Sequence, residues 1–382
     1  MNIIKYLKNE GKPEAEAIGT LTGTVIGAGV LGIPYVVSQS GFLIGAIFIL
    51  VLGFAILMTN LFIGEVVLRT SGNHQLTGYA EKYLGKTGKK LMTLTMIFGI
   101  YGALIAYIIG VGQSLSAVFG LTPLTFSLIF FALASTLVFI GLNLIKRVEV
   151  VFATVVLLII AVIIFTGYND INVTNLTTIN LSNMFIPYGV ILFAFLGAAA
   201  IPEMKEVLVK KRKLMKKSIL IGSLIPLVAY FIFALIVVGV TGTKTTEIAT
   251  IGLGRVLGQQ MVLFGNLFAA FAMSTSFLTL SIALKEMFNY DYKLHKHLSW
   301  ALTCFIPLIL FLIGIKSFIK TISTTGAIAG GVEGILIISM FLVARKKGDR
   351  KPEYHLKKSL IIALSLVLVY LGGIAYTVWN LI

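Results

Sequence analysis

The stretch GTVIGAGVLGIPYV, residues 23–36, lies in an apolar run that carries no lysine or arginine from Ala15 to Leu68. It cannot be an ordinary continuous helix, because Gly23, Gly27, Gly29 and Gly32 crowd in ahead of Pro34. In a helix interior each glycine costs about 1 kcal/mol, and a proline about 3 kcal/mol, relative to alanine. A second stretch, LFAFLGAAAIPEM at 192–204, repeats the pattern GxxxIP. Gly197, Ile201 and Pro202 stand there as Gly29, Ile33 and Pro34 stand in the first. The two prolines are 168 residues apart, so the chain reads as two halves, each with one interrupted apolar segment at the same place.

Composition sets the environment of these interruptions. Of 382 residues, 58% are hydrophobic and 12% charged, whereas a soluble chain runs at roughly half apolar and a quarter charged. A single water-soluble fold is therefore excluded. Further runs without lysine or arginine extend from Leu91 to Ile145, from Val148 to Met204 and from Ser218 to Thr243. A spanning helix needs about 20 apolar residues, so several runs hold more than one. Divided at glycine, proline and polar breaks, they predict an all-α integral membrane protein with eleven transmembrane helices. The spans fall at 17–38, 42–68, 91–119, 122–143, 149–168, 185–207, 218–240, 260–285, 298–314, 318–343 and 358–380. The first run is too long for a removable signal peptide and lacks its flanks.

Placement explains the net charge of +16. With the N-terminus in the cytoplasm, 27 of the 31 lysines and arginines fall in cytoplasmic segments, among them Lys5, Lys8, Lys12, Arg69, Lys82, Lys146, Arg147 and seven from Arg345 to Lys358. Only Lys244, Arg255, Lys316 and Lys320 fall outside. This alternation follows the positive-inside rule and puts the C-terminus of an eleven-span chain on the outer side of the cell membrane. The basic run KKRKLMKK at 210–217 suits phosphates, but topology accounts for it as a loop between two spans, so no nucleic-acid partner is expected. The lone Cys304 offers no disulfide or metal set, and His74, His295, His297 and His355 all fall in cytoplasmic connections. Neither a cofactor nor enzymatic activity is expected.

Five spans separate the two GxxxIP stretches, and because five is odd the second half enters the membrane from the opposite side. Residues 17–168 form a first five-helix repeat, residues 185–343 a second, inverted one, and 358–380 an extra helix. Interrupted spans at matching positions of two halves are the pointer to an inverted-repeat transporter. Bare backbone groups at mid-membrane are tolerated only where they line a cavity or bind something. The N-terminus of a half-helix carries a partial positive charge that suits a carboxylate, and a carbonyl end suits an ammonium group or cation. One broken pair therefore holds both ends of a zwitterion without a charged side chain.

GTVIGAGVLGIPYVVSQSGF resembles the first span of the amino acid/auxin permease family and of the related aromatic amino acid permeases, within the amino acid/polyamine/organocation superfamily. YGALIAYIIGVGQSLS, FAFLGAAAIPEM and FAMSTSFLTLSIAL in spans three, six and eight agree with it. The resemblance implies the leucine-transporter fold, with spans one and six broken, and coupled amino acid uptake. It implies that Gly27, Ala28 and Gly29 offer amides to the substrate carboxylate, and that carbonyls of Val25, Phe193 and Ala194 receive its ammonium group. Phe195 closes over the site and Tyr107 faces it. Pro34, Gly197, Pro202 and Glu203 belong to the breaks and gates. Spans one, two, six and seven rock against three, four, eight and nine, with five and ten as gates.

Coupling to sodium or to protons stays open. Ser274, Thr275 and Ser276 in span eight are the hydroxyls that, in this fold, join carbonyls near Gly23 and Ile26 to form a sodium site. The bland alternative is that they bond back to their own helix. Span five has no lysine, which removes one proton-coupled variant. Glu333 lies near the bilayer midplane, a costly place for an ionisable group; it departs from the family pattern and is a candidate proton carrier or gate element. Glu65 reads as an i,i+4 partner of Arg69. Residues 246–258 read as a lid and 75–90 as an interfacial cytoplasmic helix. No acidic or basic side chain accompanies Gly27 to Gly29, so the expected substrate is a neutral, apolar or aromatic amino acid. The competing readings are a receptor that binds an amino acid without moving it, and a passive channel or lipid-handling protein. The oligomeric state is left open, and a monomer suffices.

Overall fold

A computed structural model describes residues 11–141, 157–158, 160–163, 165–290, 292–357 and 360–381. Apolar runs fold as helices here because a helix satisfies its own backbone without water. The chain order begins with α1 (Gly11–Val25), α2 (Gly29–Ser40), α3 (Phe42–Leu68), α4 (Leu76–Phe119) and α5 (Pro123–Ile140). It continues with α6 (Pro187–Phe195), α7 (Ala200–Val207), α8 (Met215–Thr241), α9 (Ala249–Leu257), α10 (Gln259–Tyr290) and α11 (Lys296–Ile313). Last come α12 (Phe318–Thr325), a π-helical turn at Gly326–Gly330, α13 (Gly331–Lys347) and α14 (Leu360–Trp379).

Among the described residues eight helices are long and apolar enough to cross a membrane, and nine if α1 and α2 count as one segment bent by 54°. The difference from eleven has two sources. Half of the expected fifth span, 149–168, lies outside the described residues, as do Lys5, Lys8, Lys146, Arg147 and Lys358. The expected sixth span, 185–207, is divided into α6 of 9 residues and α7 of 8, each too short to cross alone. Span three also differs: the expected interfacial helix and the span run together as α4, from Leu76, with an elbow at Gly85. Its φ of 74° lies in the left-handed region that glycine adopts without strain.

The helices fall into two groups. α8 packs against α1, α2 and α3, while α6 packs on α2 and α3, and α7 on α1. In the other group α10 packs along α4, and α5 and α11 pack against both. α12, the π turn and α13 touch both groups, with contacts to α4 on one side and to α6 or α3 on the other. The outward face of α3 carries Leu43, Ile47, Leu50 and Phe54, each about half exposed, as expected of a surface solvated by lipid.

On the face where α9 lies, the Glu247 carboxylate accepts hydrogen bonds from the Ser317 hydroxyl at 3.1 Å and the Ile319 amide at 3.2 Å. It thus caps the start of α12. At the opposite end, the segment after α13 is tied to the end of α3. The amides of Asp349 and Arg350 donate to the Arg69 carbonyl, and the Arg350 guanidinium donates to the Leu68 carbonyl at 2.9 Å. Glu65, fully buried, pairs with Arg69 at 2.8 Å and also accepts from the Leu356 amide at 2.6 Å.

Candidate functional site

The two glycine-rich stretches meet at the centre of the bundle. Helix α1 stops at Val25, where the Gly27 amide donates back to the Val25 carbonyl at 2.9 Å, and helix resumes at Gly29. Helix α6 stops at Phe195, after which Leu196 turns to extended backbone, and helix resumes at Ala200. Neither α2 nor α7 has a side-chain cap at its start, so the first amides of each are left without a side-chain acceptor. The stretches touch at Gly29, where a Cβ atom would come within 2.6 Å of the Ala194 Cα. Only glycine allows this approach.

A cavity of about 250 Å³ opens between them. From the first break it is lined by Gly23, Val25, Ile26, Gly27, Ala28 and Gly29, and from the second by Phe193, Ala194 and Gly197. Tyr107 of α4, Thr275 and Ser276 of α10, and Glu333 of α13 complete the expected residues that reach it. The Tyr107 hydroxyl lies beside the Ser276 side chain, and Ser276 Oγ lies 3.4 Å from where a Gly27 Cβ would stand. These three residues join α4, α10 and the first break at one point.

Other expected residues lie elsewhere. The Phe195 ring does not line this cavity; it packs on Tyr230 with ring centroids 5.1 Å apart. Of these two phenylalanines the one lining the cavity is Phe193, because residues two apart on a helix point to different sides. Ser274 is also outside the lining, and its hydroxyl donates to the Ala270 carbonyl of its own helix at 2.6 Å. Thr275 lines the cavity while donating to the Ala272 carbonyl at 2.8 Å. Of the expected sodium ligands, then, Gly23, Ile26 and Thr275 share the cavity and Ser274 does not. Pro34 is buried inside α2, Pro202 is buried in the first turn of α7, and Glu203 beside it is exposed.

The presence of Glu333 changes the electrostatic reading. Among the described residues it is the only Asp, Glu, Lys or Arg in the lining, so the cavity is not free of charged side chains as the residues around Gly27 suggested. The cavity also extends past Leu76, Thr95 and Ala283, toward the end of the bundle where the Glu65 network lies.

Two residues were missed. Tyr230 of α8 is fully buried, and its hydroxyl lies 2.8 Å from the Val25 carbonyl and 3.2 Å from the Ala194 carbonyl, donating to the end of each broken segment. The available signal was a tyrosine in the apolar stretch IPLVAYFIF, since a hydroxyl buried in an apolar span must find an acceptor. Lys205 at the end of α7 is also buried, and its ammonium donates to the carbonyls of Thr70, at 3.0 Å, and Gly72 just beyond α3. Its position next to helix-end carbonyls follows the preference for cations there.

Comparison with known proteins agrees with this architecture. Residues 16–380 match the tryptophan/tyrosine permease family. Glutamine transporter 2 of Aliivibrio fischeri is 24% identical over 357 residues, covering 88% of this chain and 90% of that protein. The Tyrosine-specific transport system 1 protein of Haemophilus influenzae is 28% identical over 377 residues, covering 91% and 92%. The crystal structure of MhsT in complex with L-phenylalanine superposes with a TM-score of 0.66 at 16% identity, over 95% of this chain and 97% of that one. The fold is thus that of an all-helical membrane transporter.

Proposed function

The chain belongs to the tryptophan/tyrosine permease family, a family of permeases and not of enzymes, and on that premise we propose that it moves a neutral amino acid across the cell membrane by alternating access. The observation that carries this reading is the contact of two interrupted helices at Gly29 and Ala194, beside one cavity lined by backbone from both. In it the amides of Gly27, Ala28 and Gly29 take the substrate carboxylate, assisted by the positive end of α2. Carbonyls of Val25, Phe193 and Ala194 take the ammonium group, and Tyr107 and Ser276 close the carboxylate side. The tyrosine and glutamine named for the relatives and the phenylalanine bound to MhsT are all neutral amino acids.

The finer topology belongs to the same proposal: eleven spans, two inverted five-helix repeats at 17–168 and 185–343, an extra helix at 358–380, the N-terminus in the cytoplasm and the C-terminus outside. The grouping of α1–α3 and α6–α8 apart from α4, α5, α10 and α11 supports rocking of one group against the other. Pro34, Gly197, Pro202 and Glu203 mark where each broken span hinges. The kinship with amino acid/auxin permeases goes with this reading. The driving ion is sodium, held by Gly23 and Ile26 carbonyls with the Thr275 hydroxyl, or a proton, for which Glu333 is the carrier.

Uptake of labelled amino acids into proteoliposomes, under separate sodium and proton gradients, tests the proposal. Saturable uptake under one gradient is expected. Binding without uptake under either gradient would favour the receptor alternative and sink the transporter.

A further inference from the structure

On the transport reading above, we propose that α4 works as two levers joined at Gly85. The short lever, residues 76–84, travels with α3 and α7 and swings at the mouth of the cavity, while the part beyond the elbow stays with α5, α10 and α11. Lys205 and Thr70 form the link that carries the short lever.

The side-chain contacts of α4 divide at the elbow. Before it, the Tyr83 hydroxyl lies 2.7 Å from Thr70 Oγ1, just beyond the end of α3. Thr70 gives its own proton to the Val66 carbonyl at 2.8 Å, so Tyr83 is the donor. Lys82 pairs with Asp349, whose carboxylate also accepts from the Ser71 amide at 3.1 Å and whose amide donates to the Arg69 carbonyl at 2.9 Å. The Thr70 carbonyl in turn accepts from the Lys205 ammonium at 3.0 Å, as does the Gly72 carbonyl. The end of α3, the end of α7 and the short lever thus share one node at Thr70. Lys205 is buried and follows these carbonyls wherever they move, since leaving them would strip a buried charge of its partners. Beyond the elbow the partners change. The Tyr101 hydroxyl donates to the Leu302 carbonyl of α11 at 3.0 Å, and the Ser127 hydroxyl of α5 donates to the Ile108 carbonyl of α4 at 2.8 Å.

A rigid α4 tied to both groups would oppose their rocking, so the two ties require a joint between them. Gly85 lies between the last contact of one set and the first of the other. Its φ of 74° and ψ of −168° fall in a region essentially reserved for glycine. No heavy atom stands within 4 Å of where its Cβ would be, so this glycine serves the backbone and not the packing. Hinges are made of such positions, a few residues at the ends of elements that absorb the change in φ and ψ. The Lys89–Glu81 pair crosses the elbow at 2.8 Å, but both side chains are exposed and pairs of that kind hold weakly. The effect falls on the cavity. Leu76, at the tip of the short lever, lines it together with Thr95 and Met96 from beyond the elbow and Ala283 of α10. A change of angle at Gly85 moves Leu76 against these three and so sets the width of the mouth.

The test uses spin labels on Gln75→Cys, Lys216→Cys and Lys296→Cys, exposed positions at the starts of α4, α8 and α11, introduced in pairs into a Cys304→Ala background. Pulsed electron paramagnetic resonance reads each distance in proteoliposomes, in sodium and in potassium buffer, with and without tyrosine, glutamine or phenylalanine. Uptake of the same amino acids is measured alongside. The 216–296 distance reports the rocking of the two groups and is expected to shift between conditions. The 75–296 distance is expected to shift with it, and the 75–216 distance to stay constant. The reverse pattern, with 75–296 constant and 75–216 shifting, places the short lever in the group of α5, α10 and α11 and overturns the proposal. Lys205→Met is expected to broaden the 75–216 distribution, and Tyr83→Phe, which deletes one hydroxyl only, serves if the first variant does not fold. A distribution as narrow and constant as in the parent protein refutes the link. Uptake with a fixed 216–296 distance means that the groups do not rock, and the joint falls. Absence of uptake of every amino acid by wild type is a separate outcome, and it removes the transport reading itself.

Discussion

Replacing Tyr230 by phenylalanine deletes one hydroxyl and leaves the ring that packs on Phe195. That hydroxyl is shared between the Val25 carbonyl at 2.8 Å and the Ala194 carbonyl at 3.2 Å. It carries one proton, so the nearer carbonyl receives most of the bond. Val25 is not orphaned by the change, because the Gly27 amide also donates to it at 2.9 Å. The loss is therefore that of one ordinary hydrogen bond, about 1 kcal/mol, and not the larger penalty of a buried group left bare. Tyr230 is absent from the cavity lining, so it approaches these carbonyls from behind and leaves their cavity side to the substrate. On the proposed transport reading, it holds the two acceptors in register for the ammonium group. The expected result of Tyr230→Phe is a KM raised roughly fivefold, the equivalent of about 1 kcal/mol, with Vmax little changed. Initial-rate uptake over a range of substrate concentrations measures both. A lower KM would mean that the hydroxyl competes with the substrate, and a fall in Tm with KM unchanged would reduce Tyr230 to a packing residue; either result refutes the reasoning.

Three further perturbations follow from individual contacts. Gly29→Ala drives a methyl group to within 2.6 Å of the Ala194 Cα and 2.8 Å of its Cβ, overpacking that costs about 1–3 kcal/mol; thermal unfolding in detergent should show the loss, and uptake should fall with it. Glu65→Gln weakens a buried carboxylate's bonds to Arg69 and to the Leu356 amide, and about 1.5–3 kcal/mol of stability should be lost, again read from Tm. The ammonium of Lys82 and the Ser71 amide hold the Asp349 carboxyl below its usual value, so its contribution is present at neutral pH and is lost only as pH falls through that depressed value. Asp349→Asn should leave the pH dependence of Tm unchanged from pH 5 to 8, and a new slope in that window would contradict the assignment.

What could be read from the sequence divides along physical lines. Helices are legible where local chemistry decides them: the glycines and proline of 23–36 oppose a continuous helix whatever surrounds them, and α1 stops at Val25 within that stretch. The Glu65–Arg69 pair is legible because i,i+4 neighbours meet on any helix. The facing of side chains inside a break is not. Phe193 and Phe195 are chemically the same and two residues apart, and only the direction in which α6 ends decides that the first meets the cavity and the second meets Tyr230. Tyr230 itself is 205 residues from the Val25 carbonyl it serves, a pairing that no local pattern encodes. The elbow at Gly85 escaped for the opposite reason: a single glycine in a polar segment suits a loop, an interfacial helix or a bend equally well.

The charge of the cavity shows how such a gap propagates. No charged side chain stands near Gly27 in sequence, whereas a cavity collects residues by position in space, and Glu333 comes to it from the far end of the second half. A carboxylate there does not restore a charged substrate as the expectation. A cationic side chain would form a desolvated ion pair with Glu333, whose cost in a low-dielectric site offsets much of its attraction, and release on each cycle would require breaking it. A neutral donor makes one charge-assisted hydrogen bond, strong enough to discriminate and weak enough to let go. A neutral substrate therefore remains the proposed one, and the uptake ratio of lysine to tyrosine separates the two possibilities directly. Lysine transported as well as tyrosine would mean that Glu333 acts as a counter-ion, and the neutral-substrate reading would have to be abandoned.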